Sequence, residues 1–380
     1  MSLGEVFRCF GPEYVASRPG KIPTAHFKVM RAITQCRTPA LGGHRHLCDD
    51  EECDYQHFVY HACRNRHCSL CQKRNQQQWL QARLKELLPI AYFHITFTLP
   101  SELNSLFMTH SKEAYSLFFK AASRTVLEFG RNNLGVQLGI VGILHTWGQK
   151  LNYHPHLHFI VTAGGISLDE SRWIEANPKF LFPRAALQKV FKGKLLAFLR
   201  AASWLPKPEP LELKKAEAKT WGVKIQAPRS DPTPLLLYLA RYTYRVAIDD
   251  KRIREIDTVA KTVTFTYRDY RDNGITKTLC LPALKFIALF LLHVLPKGFV
   301  KARYYGLFSH PTKKRLLPIC NEHLRKDLQG KLTTLYCLQT LLATIQVPEP
   351  TSICPRCKKG RMRPVEVLRP IPGSDVFKPP

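Results

Sequence analysis

Polar and apolar positions alternate most regularly at Tyr153-His154-Pro155-His156-Leu157-His158, which runs on into Phe159-Ile160-Val161. A period of two belongs to a β-strand, so His154, His156 and His158 share one face. Pro155, Leu157, Phe159 and Val161 share the other, where apolar side chains can pack against helices. Phe93 to Leu99 is a second strand, rich in β-branched and aromatic residues and stopped by Pro100, and Leu138 to Leu144 is a third. Lys261 to Tyr267 alternates as a fourth. Between them lie helical stretches at Gln72–Leu88, at Leu103–Phe129 with Gly130 as its end, and at Ala185–Ala202, and a charged surface segment at Leu211–Lys219. A further helix is signalled by Thr233 as N-cap, Pro234 at the first helical position and the apolar run Leu235-Leu236-Leu237. The pattern predicts an α+β chain whose antiparallel sheet is flanked by helices, and no internal repeat is visible.

The predicted helix after Thr233 carries Tyr238 and Tyr242 at i and i+4, on one face that Arg245 continues. Arg241 lies three residues from Tyr238, whereas Tyr244 is off that face. A tyrosine hydroxyl, with an ordinary pKa of about 10, attacks well only a phosphate that is already polarised. The histidine strand can supply that polarisation. Two imidazoles at i and i+2 can hold one divalent cation and leave positions open for water and phosphate oxygens. Each feature alone also fits a bland role, histidines on a sheet surface and tyrosines lining a core. Together they favour chemistry on a phosphodiester.

Charge points the same way. Among 380 residues, 57 Lys and Arg against 29 Asp and Glu leave a formal net charge of +28, with a pI near 9.8. So large an excess calls for a polyanionic partner, nucleic acid first and an anionic membrane surface second. The longest apolar run, around Phe286–Leu295, is well short of the ~20 residues a spanning helix needs, and no signal segment opens the chain, so a cytoplasmic location is expected. No GxxxxGK[ST] loop occurs, so no nucleotide cofactor is expected, and strand opening falls to host replication or helicase factors.

The 12 cysteines read as metal ligands rather than disulfides, given that compartment. Cys48-x4-Cys53 and Cys63-x4-Cys68-x2-Cys71 bring close pairs together across a short insert, as zinc ribbons do. The expected Zn²⁺ ligands are Cys48, Cys53, Cys68 and Cys71, with Cys36, Cys63 and His67 as substitutes. The insert Asp54–His61 is a ribbon strand, and Arg64, Arg66, Lys73 and Arg74 surround it with charge suited to DNA. A second pair, Cys354 and Cys357, fills half of a tetrahedral site that Cys320, His323 or Cys337 could complete. Organisation follows from these signals: a zinc-binding, DNA-binding domain at 1–88, a catalytic domain at 89–310, and a basic C-terminal region with a CxxC at 311–380.

The stretch from Leu144 through Trp147, Gln149 and the histidine strand, with Tyr238-x3-Tyr242 and Arg303-Tyr304-Tyr305-Gly306-Leu307, resembles the two-tyrosine rolling-circle transposases of bacterial insertion sequences, insertion-sequence-91-like. These belong to the endonucleases named for a His-hydrophobe-His motif, and the resemblance covers nearly the whole chain. It implies that His156 and His158 hold a catalytic Mg²⁺ or Mn²⁺, that Leu157 is the intervening hydrophobe, and that Tyr238 and Tyr242 are nucleophiles. For a third ligand His154, His145 and Gln149 stand open. It further implies a 5′-phosphotyrosine intermediate on single-stranded DNA at element ends and target, in a bacterial, nucleoid-associated setting. The segment Pro282–Phe290 departs from the family by lacking an acidic residue near Lys285. Arg241, Arg245, Lys251 and Arg252 are candidates for phosphate contacts. Three alternatives use parts of the same evidence: a rolling-circle replication initiator, a non-catalytic zinc-dependent DNA-binding regulator, and a metal-dependent hydrolase. The last would need further ligands in a βα repeat, which the chain lacks.

Overall fold

The computed structural model describes residues 1–72, 88–228, 246–327 and 353–371. Two helices, α1 (Leu3–Ala16) and α2 (Thr24–Gln35), precede a hairpin of β1 (Gly43–Cys48) and β2 (Gln56–Tyr60). The middle of the chain forms β3 (Tyr92–Thr98), α3 (Asn104–Thr109), α4 (Ser111–Leu134), β4 (Val136–Trp147), β5 (Tyr153–Ser167) and the short β6 (Trp173–Glu175). Then come α5 (Arg184–Arg200), α6 (Leu211–Ala218) and β7 (Gly222–Gln226). A three-stranded meander of β8 (Ile253–Asp257), β9 (Thr262–Asp269) and β10 (Ile275–Pro282) leads into α7 (Ala283–Leu291). The described chain closes with β11 (Ala302–Gly306), α8 (His310–Asp327) and β12 (Met362–Leu368).

The main sheet has the order β11-β4-β5-β3-β7, with β6 on β5, and every pairing is antiparallel. The alternation along β5 explains its place at the centre. Leu157, Phe159 and Val161 are fully buried and meet Phe118 and Phe119 of α4 and Phe191 of α5 in the larger core. Phe97 of β3 locks this layer, with ring centroids 5.4 Å from Phe159 and 4.8 Å from Phe191. Gly130 does not end its helix as expected. It lies within α4, where a Cβ would come within 2.6 Å of Leu138 Cδ1, so glycine lets the helix settle on β4; the helix stops at Gly135, in the left-handed conformation.

A second core joins the start of the chain to its middle. Phe7, Phe10, Met30 and Ile33 of α1 and α2 pack with Phe265 of β9 and with Phe286 and Phe290 of α7. A Ser2–Glu5 capping box starts α1 and fixes its entry to this core. Residues 1–35 therefore share their core with 246–291, and the expected boundary at residue 88 does not follow the packing. The family-divergent segment around Lys285 belongs to α7, whose apolar face this core consumes. The region from 311 is also divided. Helix α8 seats Leu316, Cys320 and Leu324 beside Ile166, Trp173 and Leu307, while β12 pairs with β1 in a separate sheet. The predicted helix over Gln72–Leu88, apart from its first and last residues, and the whole of the tyrosine helix lie outside the described residues. Among the described residues, no helix is long and apolar enough to cross a membrane.

His293, after α7, is buried between the two cores. Its Nε2–H donates to the Leu151 carbonyl (3.0 Å) and its Nδ1 accepts from Thr146 Oγ1 (3.2 Å). Burial holds its pKa down at about 4. As pH falls below the ordinary histidine value, the unfolded chain takes up a proton that the folded chain refuses, so stability is lost progressively from about pH 6.5 to about pH 4. The loss at the acid end is on the order of 3 kcal/mol. Thermal unfolding midpoints across that range are expected to fall less steeply in His293→Gln than in the wild type. Parallel profiles would remove His293 as the cause.

Candidate active site

Strand register builds the site. Pairing of β4 with β5 sets His145 opposite His156, and directly opposed residues of an antiparallel pair project to the same face. His158 joins that face by alternation, and β3 places Thr98 beside His156 and Thr96 beside His158. One ring nitrogen from each of His145, His156 and His158 lies within 4.8 Å of the other two. His145 and His158 are buried, and His156 is half-buried. Three convergent imidazoles suit one divalent cation with coordination positions left over.

Of the three candidates for third ligand, His145 is the one the fold brings in. His154 stays outside the cluster, and its role is to accept, through its backbone carbonyl, the His156 Nδ1–H (2.7 Å). That bond leaves the lone pair of His156 on Nε2. Gln149 turns to the meander, where its Oε1 accepts from the Arg268 N–H (3.4 Å) and its carbonyl from Arg252 (2.5 Å). Arg252 also donates to the Thr266 carbonyl (2.7 Å), so it braces the loop rather than waiting for a phosphate.

A relay not legible in the sequence orients His158. Gln226 Oε1 can only accept, so His94 donates to it from Nδ1 (2.6 Å). Burial lowers the pKa of His94 and keeps it neutral, so its Nε2 accepts from the Nδ1–H of His158 (2.9 Å). His158 is thereby turned with Nε2 toward the cluster. His94 and Gln226 come from β3 and β7, each paired in turn to the histidine strand's side of the sheet. Gln226→Ala is expected to weaken Mn²⁺ binding about 10–100-fold, with Gln226→Glu close to wild type because a carboxylate still accepts the bond. Calorimetric titration with Mn²⁺ checks this, and equal affinities in all three proteins would exclude the relay.

Trp147 floors one side of the cluster, stacked on His145 with ring centroids 4.5 Å apart, and Lys301 Nζ sits 4.9 Å over its ring. Beyond Trp147 opens a cavity of about 1040 Å³ between α2, the knuckle formed by residues 63–72 and β11, with Lys28, Arg66, Lys297 and Lys301 among its lining residues. Arg66 donates to the Phe299 carbonyl and so also ties the knuckle to that wall. Arg64 is exposed. The described chain breaks off at residue 228, two residues beyond Gln226, and resumes at Val246, which lines the cavity. Tyr238, Tyr242, Arg241 and Arg245 fall between these points, and Lys73 and Arg74 follow Gln72, so all six lie outside the described residues. Arg303 and Tyr305 of the Arg303–Leu307 string are structural. Arg303 stacks over Phe119 (4.5 Å) and donates to Ser116 Oγ (3.1 Å), and Tyr305 packs on the main core.

The cysteines do not group as expected. Cys48 and Cys53 are separated from Cys68 and Cys71, and two four-thiol clusters form instead: Cys36, Cys63, Cys68 and Cys71 in one, Cys48, Cys53, Cys354 and Cys357 in the other. Within the first, Cys71 Sγ lies 3.6 Å from both Cys36 Sγ and Cys63 Sγ. Sulfurs of a Zn²⁺ tetrahedron with Zn–S of about 2.3 Å stand about 3.8 Å apart, so the fit is close. Hydrogen bonds from Cys63 and Cys68 lower the pKa of the Cys36 thiol. His67 is not in the cluster; its Nε2 accepts from the Leu295 N–H (3.4 Å). The residues expected to complete a site with Cys354 and Cys357 are elsewhere. Cys320 is buried on the inner face of α8, with its thiol pushed up to about 11 by burial, His323 bonds the Glu170 carbonyl (3.2 Å), and Cys337 lies outside the described residues.

A family model described as "Putative transposase" matches residues 139–315, and one described as "Transposase zinc-binding domain" matches residues 6–99. The chain is 34% identical over 392 residues to "Putative transposase y4qJ" of Sinorhizobium fredii, covering 98% of this chain and 96% of that protein. It is 27% identical over 330 residues to "Transposase for insertion sequence element IS801" of Pseudomonas savastanoi pv. phaseolicola, covering 83% of this chain and 78% of that protein. No solved structure matches.

Proposed function

The chain belongs to the insertion-sequence-91-like transposases, with a zinc-binding N-terminal region, and on that premise we propose that it cuts and rejoins single-stranded DNA through a His-hydrophobe-His metal site and two tyrosines. The observation that carries this reading is the convergence of His145, His156 and His158 on one face of the central sheet. A divalent cation bound there would draw electron density from the scissile phosphate, stabilising the charge that builds during displacement. Three imidazoles, with no carboxylate in the cluster among the described residues, favour Mn²⁺ over Mg²⁺, which prefers oxygen ligands.

The chain's own residues do the rest. The phenol oxygen of Tyr238 or Tyr242 attacks phosphorus, a tyrosyl–phosphate bond forms, and the bond from phosphorus to the 3′ oxygen breaks. The phenol's proton ends on that oxygen, giving a 5′-phosphotyrosine and a free 3′-hydroxyl. Attack by a 3′-hydroxyl on the phosphotyrosine reverses the step and joins strands. Bond energy is conserved, so no nucleotide is consumed. Two tyrosines allow a second cut while the first end is held. The cavity beside Trp147 is lined by Lys28, Arg66, Lys297 and Lys301, and these cations supply the electrostatic attraction that phosphates require. Strand opening is left to host replication or helicase factors.

The test is a denaturing gel of the full chain incubated with labelled single-stranded DNA carrying the element's ends. A protein–DNA adduct at the 5′ end created by the cut is expected with Mn²⁺, at lower concentration than with Mg²⁺, and none with EDTA or in Tyr238→Phe/Tyr242→Phe. DNA binding without any covalent product would replace this reading with that of a zinc-dependent DNA-binding protein.

A further inference from the structure

The two cysteine pairs left outside the knuckle come from opposite ends of the chain. Cys48 Sγ lies 3.7 Å from Cys357 Sγ, and Cys53 Sγ lies 3.8 Å from Cys354 Sγ, with all four sulfurs within 4.8 Å of one another. These separations are far too long for disulfides, at about 2.05 Å, and match the edge of about 3.8 Å expected for sulfurs around one Zn²⁺. The backbone is shaped around the sulfurs on both sides. Cys53 N–H donates to the Asp50 carbonyl (3.0 Å) and Cys48 N–H to the Tyr55 carbonyl (3.0 Å), closing the first turn. On the other side, Cys354 N–H donates to the Gly360 carbonyl (2.7 Å), and Gly360 N–H points back at Cys357 Sγ (3.3 Å). A Cβ at Gly360 would lie 2.4 Å from Cys48 Sγ, so this close approach is reserved for glycine.

Independent contacts tie the same two segments together. Strand β12 pairs with β1 from Gly43↔Leu368 to Cys48↔Met362, and Asp49 accepts from the Arg361 N–H (2.5 Å) and Arg363 Nε (2.8 Å). Arg356 pairs with Asp54. Four thiolates around Zn²⁺ carry a net charge of −2, and Lys358, Lys359 and Arg361 add positive charge to the same segment. We propose that Cys48, Cys53, Cys354 and Cys357 hold a second, structural Zn²⁺ that completes a ribbon from both ends of the chain and makes β12 an obligatory strand of the N-terminal sheet. The ion bridges pairs 301 to 309 residues apart in sequence, where β12's hydrogen bonds alone would have to hold the chain's end against its own entropy.

Metal content of the purified full chain, measured by plasma mass spectrometry, tests this without reference to DNA cleavage. Two Zn²⁺ per chain are expected, one in Cys354→Ser/Cys357→Ser, and one also in Cys68→Ser/Cys71→Ser. Retention of both ions by the first variant overturns the proposal, as does a single ion in the wild type. A second measurement on the unmutated protein guards against misfolding. In the zinc-loaded chain all four thiols are expected to resist iodoacetamide, and after chelation they become labelled together, with β12 amides losing their hydrogen-exchange protection. Labelling of Cys354 and Cys357 in the zinc-loaded protein, at the rate of exposed Cys9, would equally overturn it.

Discussion

His156→Ala/His158→Ala is expected to lower DNA cleavage by on the order of 10³-fold or more while DNA affinity stays within about twofold, because removing charge stabilisation at a reacting phosphate costs that much. The separation of effects follows from geometry. The cations proposed to attract DNA line the cavity beyond Trp147, whereas the two imidazoles belong to the histidine cluster. Removing His158 takes away the His94 Nε2 partner at 2.9 Å, so thermal unfolding is recorded alongside. Two single variants sharpen the result. His145→Ala is expected to follow the double variant in Mn²⁺ affinity, and His154→Ala to stay near wild type because its contribution is a backbone carbonyl. Normal cleavage by the double variant would sink the metal assignment, and a collapse in His154→Ala alone would reassign the third ligand.

Cys68→Ser/Cys71→Ser is expected to destroy the second core while leaving the first. Cys36, Cys68 and Cys71 are buried among the apolar side chains of α1, α2 and α7, so an ion there stabilises packing as well as the knuckle. Structural Zn²⁺ contributes about 10–16 kcal/mol in small zinc peptides, comparable with or larger than the roughly 5–15 kcal/mol net stability of a typical protein. None of these cysteines belongs to the core under the central sheet. Calorimetry is expected to show one cooperative transition lost, with far-ultraviolet circular dichroism retaining the signal of the main sheet and α4. An unchanged melting profile with one Zn²⁺ fewer would mean that the apolar core stands without the ion.

Much of the candidate site was legible because it is local. The face shared by His156 and His158 follows from alternation along one strand, and β5 has that alternation with Leu157 and Phe159 buried opposite. The strands at 93–99, 138–144 and 261–267 all appear, each slightly displaced or extended. Gly130 misled because a glycine that admits a neighbouring side chain looks, in sequence, like one that ends a helix. His154 misled for a related reason. Periodicity gave it the same standing as His156 and His158, and only the backbone hydrogen bond to His156 shows what it contributes.

What the sequence determined by itself is therefore what each element can read from its own period: the histidine face, the apolar faces of strands and helices, the cysteine pairs and a charge of +28 that demands a polyanion. The tertiary structure alone decided which elements meet. Strand register chose His145, the β3–β7 pairing brought Gln226 to His94, and the return of β12 to β1 sorted eight cysteines into two clusters. The physical reason is that local sterics set where a side chain points, whereas a partner such as Cys354 for Cys53, 301 residues away, is set by the packing of the whole chain.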